Sequence, residues 1–223
     1  MNNPIVNLVD GSFIFIIGIS VFLLIGVTAA MIYFSIRYNE KNNPKADQSI
    51  TGNTTLEVVW TIIPLFLVLG MFFYGWEGFK VMRDIPSDAM TVKVTGRMWA
   101  WSFEYETGKK SDTLLYLPHN KNIKFELMSA DVNHSFYVPA YRVKEDCVPG
   151  RTNYMWFHTT AMGEFDILCA EYCGLNHAYM LGKVKVIPDD EFRKWVSAVD
   201  TVTTNTTGIN SDTVSNKKSD TLK

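Results

Sequence analysis

The feature that most constrains this chain is a long apolar run near its start. Residues 13–34, FIFIIGISVFLLIGVTAAMIYF, include no charged side chain, and a helix rising about 1.5 Å per residue covers a hydrocarbon core of roughly 30 Å in that length. A second uncharged run, residues 58–76, VVWTIIPLFLVLGMFFYGW, is just long enough to do the same. A secretory signal peptide would carry a basic leading region and a shorter apolar stretch, whereas residues 1–12 hold no Lys or Arg. A buried core helix is the competing reading of the second run. Separated by about twenty polar residues, the two runs predict a transmembrane hairpin. Its helices span residues 13–38 and 58–82, its loop spans 39–57, and both chain ends lie on one side of the membrane.

Charge chooses the side. The connecting segment holds Arg37, Lys41 and Lys45 while the N-terminal flank holds none, so the positive-inside rule puts the loop in the cytoplasm and residues 1–12 outside. Everything after about Phe79 then lies outside too, with Lys80 and Arg83 counting against that orientation. Gly18, Gly26, Pro64 and Gly70 interrupt the runs. Membrane helices tolerate such residues when neighbours satisfy the freed backbone groups, and Pro64 is expected to kink its helix. A kinked hairpin points to packing against a larger membrane partner.

From Met90 onward the pattern changes to short strand-like runs separated by Gly, Pro, Asn and Asp, with alternation clear in Thr91-Val92-Lys93-Val94 and Lys183-Val184-Lys185-Val186. Strands at this spacing predict one β-sandwich or barrel over residues 90–199. A helix is expected from Asp189 to Val199, because acidic residues at its start suit the helix dipole. Residues 200–223 are rich in Thr, Ser, Asn and Asp and predict a disordered tail. Matches such as Asn205-Thr206-Thr207 read as chance within it, and no internal repeat is visible.

Chemistry concentrates in residues 169–180, CAEYCGLNHAYM. Two of the chain's three cysteines and one of its four histidines stand there, as Cys169, Cys173 and His177 at intervals of four with Met180 three further on. A disulfide would leave His177 and Met180 unexplained, and a zinc site has no use for methionine. A blue-copper site uses one thiolate, two imidazoles and a weak axial thioether. A second thiolate that bridges metals would naturally hold two copper ions. The extra imidazole is best supplied by His134, in a strand-like run about 35 residues before Cys169. His119 and His158 read as ordinary hydrogen-bonded histidines. Glu171, between the cysteines, is expected to turn its side chain away from them while its carbonyl can face a metal.

The ligand loop does not stand alone. Together with DVNHSFYVP (131–139), KEDCVPGR (144–151), GRMWAWSFEY (96–105) and LEVVWTIIP (56–64), it resembles subunit II of the haem-copper cytochrome c oxidases, in the family's order from about Phe13 to Val199. The resemblance implies a membrane-anchored all-β protein, a two-helix transmembrane hairpin followed by a cupredoxin-like Greek-key β-sandwich that holds the binuclear copper centre CuA. It assigns His134 and His177 as imidazole ligands and Cys169 and Cys173 as bridging thiolates. Met180 becomes a weak ligand, as does the Glu171 carbonyl. The Glu171 carboxylate becomes a ligand of a magnesium ion shared with subunit I. Glu57 becomes the mouth of a proton channel into subunit I.

By the same resemblance Trp99 is the surface residue through which cytochrome c passes its electron, and Trp101 packs. If residues 99–101 alternate within one strand, the two tryptophans share a face. Glu104 and Asp131 match an acidic surface that docks a lysine-rich cytochrome c. Between residues 99 and 200 stand 14 acidic and 11 basic side chains, too small an excess to identify a partner.

The implied function is that of the electron-accepting subunit of a proton-pumping terminal oxidase. It passes electrons to haem in subunit I, where oxygen is reduced to water, which makes the chain a component of an oxidoreductase and translocase. The expected partners are subunits I and III, a cytochrome c or c-type cytochrome domain, and the membrane, with no nucleic acid. The expected place is the inner or cell membrane of a bacterium or organelle, with the copper domain on the periplasmic side.

Some positions depart from the family's pattern. Met162-Gly163 and Ile167-Leu168 stand where many relatives have Pro-Gly and Gly-Gln, so hydrogen bonds around the metal and its potential are expected to differ. Cys147 is an extra thiol with an expected structural role. The absence of Cys-x-x-Cys-His and of a cysteine near the start predicts neither a fused c-type haem nor a lipid anchor. Of four rival readings, the nitric-oxide reductase type is the one that stays open. A quinol oxidase subunit lacks the ligands found here, and a nitrous-oxide reductase adds a large catalytic domain. A nitric-oxide reductase-type enzyme could use the same CuA subunit. A copper chaperone fits two shielded thiolates poorly.

Overall fold

The computed structural model describes residues 3–45 and 52–198. The tail expected to be disordered, residues 200–223, lies outside the described residues. Two helices come first, α1 from Pro4–Arg37 and α2 from Thr54–Arg83, both long and apolar enough to cross a membrane. Helix α1 starts well before the uncharged run because its first turn has its own support. Pro4 occupies the first helical turn, where a missing N–H costs nothing. The Asn3 side chain accepts hydrogen bonds from the N–H groups of Ile5 at 2.9 Å and Val6 at 3.4 Å. Asn3 also donates to the His158 carbonyl at 2.8 Å, and Ile5 is buried among side chains of the domain that follows the helices. From Pro4 on, the segment expected as a plain lead is helix docked on that domain.

Close packing of the helix pair occurs where small residues allow it. A methyl group added at Gly78 would lie 4.0 Å from Leu8 and Ser12, and the Phe15 and Tyr74 rings are 5.3 Å apart. Helix α2 runs through Pro64 unbroken. Further polar links tie the hairpin to the domain that follows it. Trp156 Nε1 donates to the Val81 carbonyl at 3.3 Å. Arg83 pairs with Glu145 at 2.8 Å, and Arg142 pairs with Asp10 at 2.9 Å.

The domain that follows the helices is a sandwich of two five-stranded sheets. Its strands are β1 Met90–Arg97, β2 Ala100–Tyr105, β3 Lys110–Asp112, β4 Leu114–Pro118, β5 Asn122–Ser129, β6 His134–Val138, β7 Val143–Cys147, β8 Asn153–His158, β9 Gly163–Cys169 and β10 Leu181–Ile187. One sheet runs β3-β2-β1-β5-β8 and the other β4-β10-β9-β6-β7. Neighbours are antiparallel except β1 with β5 and β4 with β10, so the chain crosses between sheets as a cupredoxin-like Greek key does. Alternation sends Val92 and Val94, Trp101 and Phe103, and Ile123, Phe125 and Leu127 inward to full burial. Phe136 stands at the centre, its ring 5.3 Å from Trp101 and 5.6 Å from Phe125. Helix α3, Asp189–Ser197, closes one end with Asp189, Asp190 and Glu191 in its first turn.

The aromatic stretch differs from its expected form. Strand β1 ends at Arg97 and β2 begins at Ala100, with Arg97 facing Ala100 in register, so Met98 and Trp99 form the turn between them. Trp99 and Trp101 therefore share no strand face. Trp101 is fully buried and Trp99 is at the surface edge.

Candidate metal centre

Sheet register explains how a distant histidine meets the cysteine loop. Strands β6 and β9 run antiparallel with Phe136 opposite Cys169, and Ala170 N–H donates to the Ser135 carbonyl at 3.0 Å. The start of β6 therefore lies beside the end of β9. On its other side β9 pairs with β10, Leu168 facing Leu181, so residues 169–180 form the loop that this pair closes. Cys169 is the last residue of β9, and His177 opens a short 3-10 turn, His177–Tyr179. Met180 follows and is fully buried.

The side chains converge. His134, Cys169 and Cys173 offer ligand atoms within 4.8 Å of one another. The two Sγ atoms are 3.8 Å apart, far beyond the roughly 2.05 Å of a disulfide bond. Each thiol has its own imidazole. His134 Nδ1 lies 3.8 Å from Cys169 Sγ, and His177 Nδ1 lies 3.5 Å from Cys173 Sγ. Met180 Sδ is 3.8 Å from Cys173 Sγ, and the Glu171 carbonyl is 3.3 Å from Cys169 Sγ. Two thiols, two imidazoles, a thioether and a carbonyl form a soft donor set that fits copper. Burial, then hydrogen bonding to Cys169, pushes the Cys173 thiol up to about 11. At neutral pH a metal must therefore displace its proton.

The rear of the site is built from groups that sequence reasoning placed elsewhere. Asp131 Oδ1 lies 2.8 Å from His134 Nε2, and its Oδ2 accepts the Met98 N–H at 2.7 Å. Burial alone would raise the Asp131 pKa, but the Met98 and His134 bonds outweigh it and hold the carboxyl below its ordinary value. A carboxylate on the far nitrogen of an imidazole fixes the ring's orientation and tautomer. The spacing Asp-x-x-His was its available signal. Gly96 is a second support. A methyl group there would come within 3.0 Å of His134 Cδ2 and 3.2 Å of Trp101. Nothing in one sequence marks that glycine for this role.

Trp99 touches the loop from outside. Its Nε1 donates to the Cys173 carbonyl at 3.2 Å, and a methyl group on Gly174 would sit 3.4 Å from its ring. Gly174 also has φ +115°, a conformation that favours glycine. The Glu171 side chain turns outward to Lys144 at 3.4 Å. Cys147 faces His134 in register and is fully buried, and burial pushes its thiol up to about 12. Glu57 lies apart from this group, in the first turn of α2, about 39 Å of helix from Arg83 at the sandwich end.

The two carboxylates expected to meet a lysine-rich partner are both engaged. Asp131 is spent on His134 and Met98. Glu104 sits between Lys110 at 3.3 Å and Lys93 at 3.6 Å, and the Lys110 bond holds its carboxyl below the usual value.

Comparison with known proteins agrees along the chain. Residues 2–77 match the family model of the cytochrome C oxidase subunit II transmembrane domain, and residues 109–187 match that of its periplasmic domain. The chain is 32% identical to cytochrome c oxidase subunit 2 of Cereibacter sphaeroides, an alignment that covers 82% of this chain and 73% of that protein. The chain belongs to the cytochrome c oxidase subunit II family. The subunit 2 of Alkalihalophilus pseudofirmus is 34% identical over 82% of this chain and 57% of its own length. Among solved structures, the periplasmic domain of subunit II of cytochrome oxidase from Bradyrhizobium japonicum is 37% identical, covering 51% of this chain and 94% of its own, with a TM-score of 0.49. Membership in the cytochrome c oxidase subunit II family makes the chain a membrane-anchored subunit of a haem-copper oxidoreductase.

Proposed function

We propose that this chain receives electrons from cytochrome c at a binuclear CuA centre and passes them to haem in subunit I of a proton-pumping oxidase, where oxygen becomes water. The observation that carries this reading is the pair of thiols 3.8 Å apart, each with an imidazole beside it. His134, His177, Cys169, Cys173, Met180 and the Glu171 carbonyl would hold the metal. Two copper ions bound there supply a one-electron carrier whose charge is shared, so each bond length changes little on reduction.

The chain's own residues do the rest. Buried Phe136, Trp101 and Met180 keep water from the thiols, which limits rearrangement when charge moves. The Trp99 ring, in contact with the loop backbone, is the receiving surface. The outward Glu171 carboxylate offers one hard oxygen to a magnesium ion. Such ions demand several oxygens, so subunit I would supply the others. Glu57 stands at the opposite end of α2, where a proton channel into subunit I would open. Arg37, Lys41 and Lys45 between the helices favour the cytoplasm for that end and the outer side for the sandwich.

The test is metal content with EPR on the complex purified from its native membrane. Two coppers held by this chain, beyond any copper bound elsewhere in the complex, and a signal delocalised over both nuclei are expected. One copper with a blue-copper spectrum would sink the reading. Replacing Trp99 with Ala should slow cytochrome c oxidation while copper content stays intact.

A further inference from the structure

We propose that the chain holds one phospholipid with a zwitterionic headgroup, a phosphate ester bearing a primary ammonium, in a groove running from the membrane-spanning part of α2 into the cleft between hairpin and sandwich. The lower half of the groove lies on one face of α2. Phe72, Trp76 and Phe79 stack there as a continuous wall, with ring centroids 6.2 and 5.7 Å apart and planes within 25° of parallel. Beside the wall Gly75 leaves a notch, since a methyl group added to it would meet nothing within 4 Å. With Met71 these residues form an apolar trough of about 420 Å³. Phe79 also lines a second cavity, of about 300 Å³, between the last turns of α2 and strands β7 and β8. Trough and cleft thus meet in one groove, apolar at membrane depth and charged at its sandwich end.

Depth and charge select the occupant. Arg83 stands about 10 Å of helix beyond Trp76, where the uncharged run ends, and so just past the hydrocarbon core at the level of lipid headgroups. Its Cζ lies 5.6 Å from the centroid of the Phe79 ring, at the junction of the two halves. Three cations open on the cleft and each has its own carboxylate: Arg83 pairs with Glu145, Arg142 with Asp10 and Lys144 with Glu171. That balance gives no net attraction for an anionic lipid, but it suits a ligand that carries both signs. Arg83 reaches Glu145 and the Tyr154 carbonyl through Nη1, and Arg142 reaches Asp10 through Nε and the Pro139 carbonyl through Nη1. A guanidinium has five N–H donors and a carboxylate about four acceptor positions, so donors remain for a phosphate and Glu145 keeps acceptors for an ammonium. The exposed ring in the cleft, Tyr154, already has Lys124 4.8 Å from its centroid. Acceptors rather than an aromatic cage await the lipid's cation, which favours a primary over a quaternary ammonium. A partner helix, about 10–12 Å across with its side chains, is too bulky for the cleft, whereas one acyl chain and its headgroup fill both halves.

The test is photo-cross-linking on the complex purified from its native membrane, supplied in detergent with phosphatidylethanolamine that carries a diazirine in one acyl chain. Adducts, mapped by peptide mass spectrometry, should concentrate at residues 71–79 of this chain. A tenfold excess of unlabelled phosphatidylethanolamine should cut the labelling about tenfold by mass action. The same excess of phosphatidylglycerol or phosphatidylcholine should cut it less than about twofold, and inorganic phosphate should leave it unchanged. Gly75→Leu fills the notch from a position with open space around it, so most of the labelling should vanish while the copper spectrum stays. Glu145→Gln should lower the advantage of phosphatidylethanolamine over phosphatidylcholine about tenfold, as expected for loss of a charged hydrogen-bond acceptor. Adducts spread along both helices, or equal competition by all three lipids, would mean ordinary surrounding lipid and overturn the proposal. So would an absence of adducts at 71–79, the result expected if a partner helix covers the trough, or full labelling of an assembled Gly75→Leu complex. Should that variant fail to assemble, the mapping and the competition on the unaltered complex decide.

Discussion

The two imidazoles at the metal centre rest on different ground. His134 opens strand β6, is fully buried, and has a carboxylate on its far nitrogen and a glycine against its ring. His177 opens a three-residue turn in the β9–β10 loop, is partly exposed, and has the Cys173 thiol and the edge of the Tyr172 ring as neighbours. One half of the ligand set is fixed by a packed sheet. The other is fixed by loop backbone held against Trp99. Preorganisation is thus concentrated at the sheet end, and damage there should cost more than comparable damage in the loop.

The largest contrast should come from core packing behind His134. Phe136→Ala is expected to cost about 3–5 kcal/mol of stability, read as the urea midpoint of the chain in detergent, whereas Tyr172→Ala in the loop should stay within about 0.5 kcal/mol. Comparable losses would erase the distinction. Gly96→Ala should follow at about 1–3 kcal/mol, because the new methyl group must displace His134 or Trp101. Its signature is an altered copper spectrum in folded protein. Asp131→Asn should weaken copper binding by about ten- to a hundredfold, measured by competition with a chelator, while Tyr172→Phe should leave affinity nearly unchanged.

The smallest effect concerns pH. A carboxyl held below its unfolded pKa adds stability above that pKa and loses it as pH falls through the folded value. Asp131 is held low, so its support should be present at neutral pH and fade below about pH 4. Asp131→Asn should flatten the acid limb of a stability-versus-pH curve. An unchanged acid limb would show that Asp131 does not act in this way.

Much of the site was legible because its residue types are rare and closely spaced. Cys169, Cys173, His177 and Met180 declare themselves within twelve positions, and His134 was the remaining plausible partner on a nearby strand. Less legible was anything decided by register or by the absence of a side chain. The turn at Met98 and Trp99 looked like strand because alternating aromatics suit both. Asp131 and Glu104 looked like free surface charges because a sequence does not show which lysine, ring or N–H stands opposite. The hairpin was legible from its uncharged runs, but the first turns of α1 were not. Their stability comes from Asn3, Ile5 and the sandwich rather than from apolar length.

That docking gives the sandwich a two-point mounting. Besides the short connection after α2, the start of α1 is pinned by Asn3 to His158 and by Asp10 to Arg142. A single tether would leave the domain free to swivel about its stalk. Two separated attachments resist rotation, so α1 works as a bracket as well as an anchor. Its opening residues are matched to the sandwich above them, and a membrane helix borrowed from another protein would restore the anchorage without the alignment.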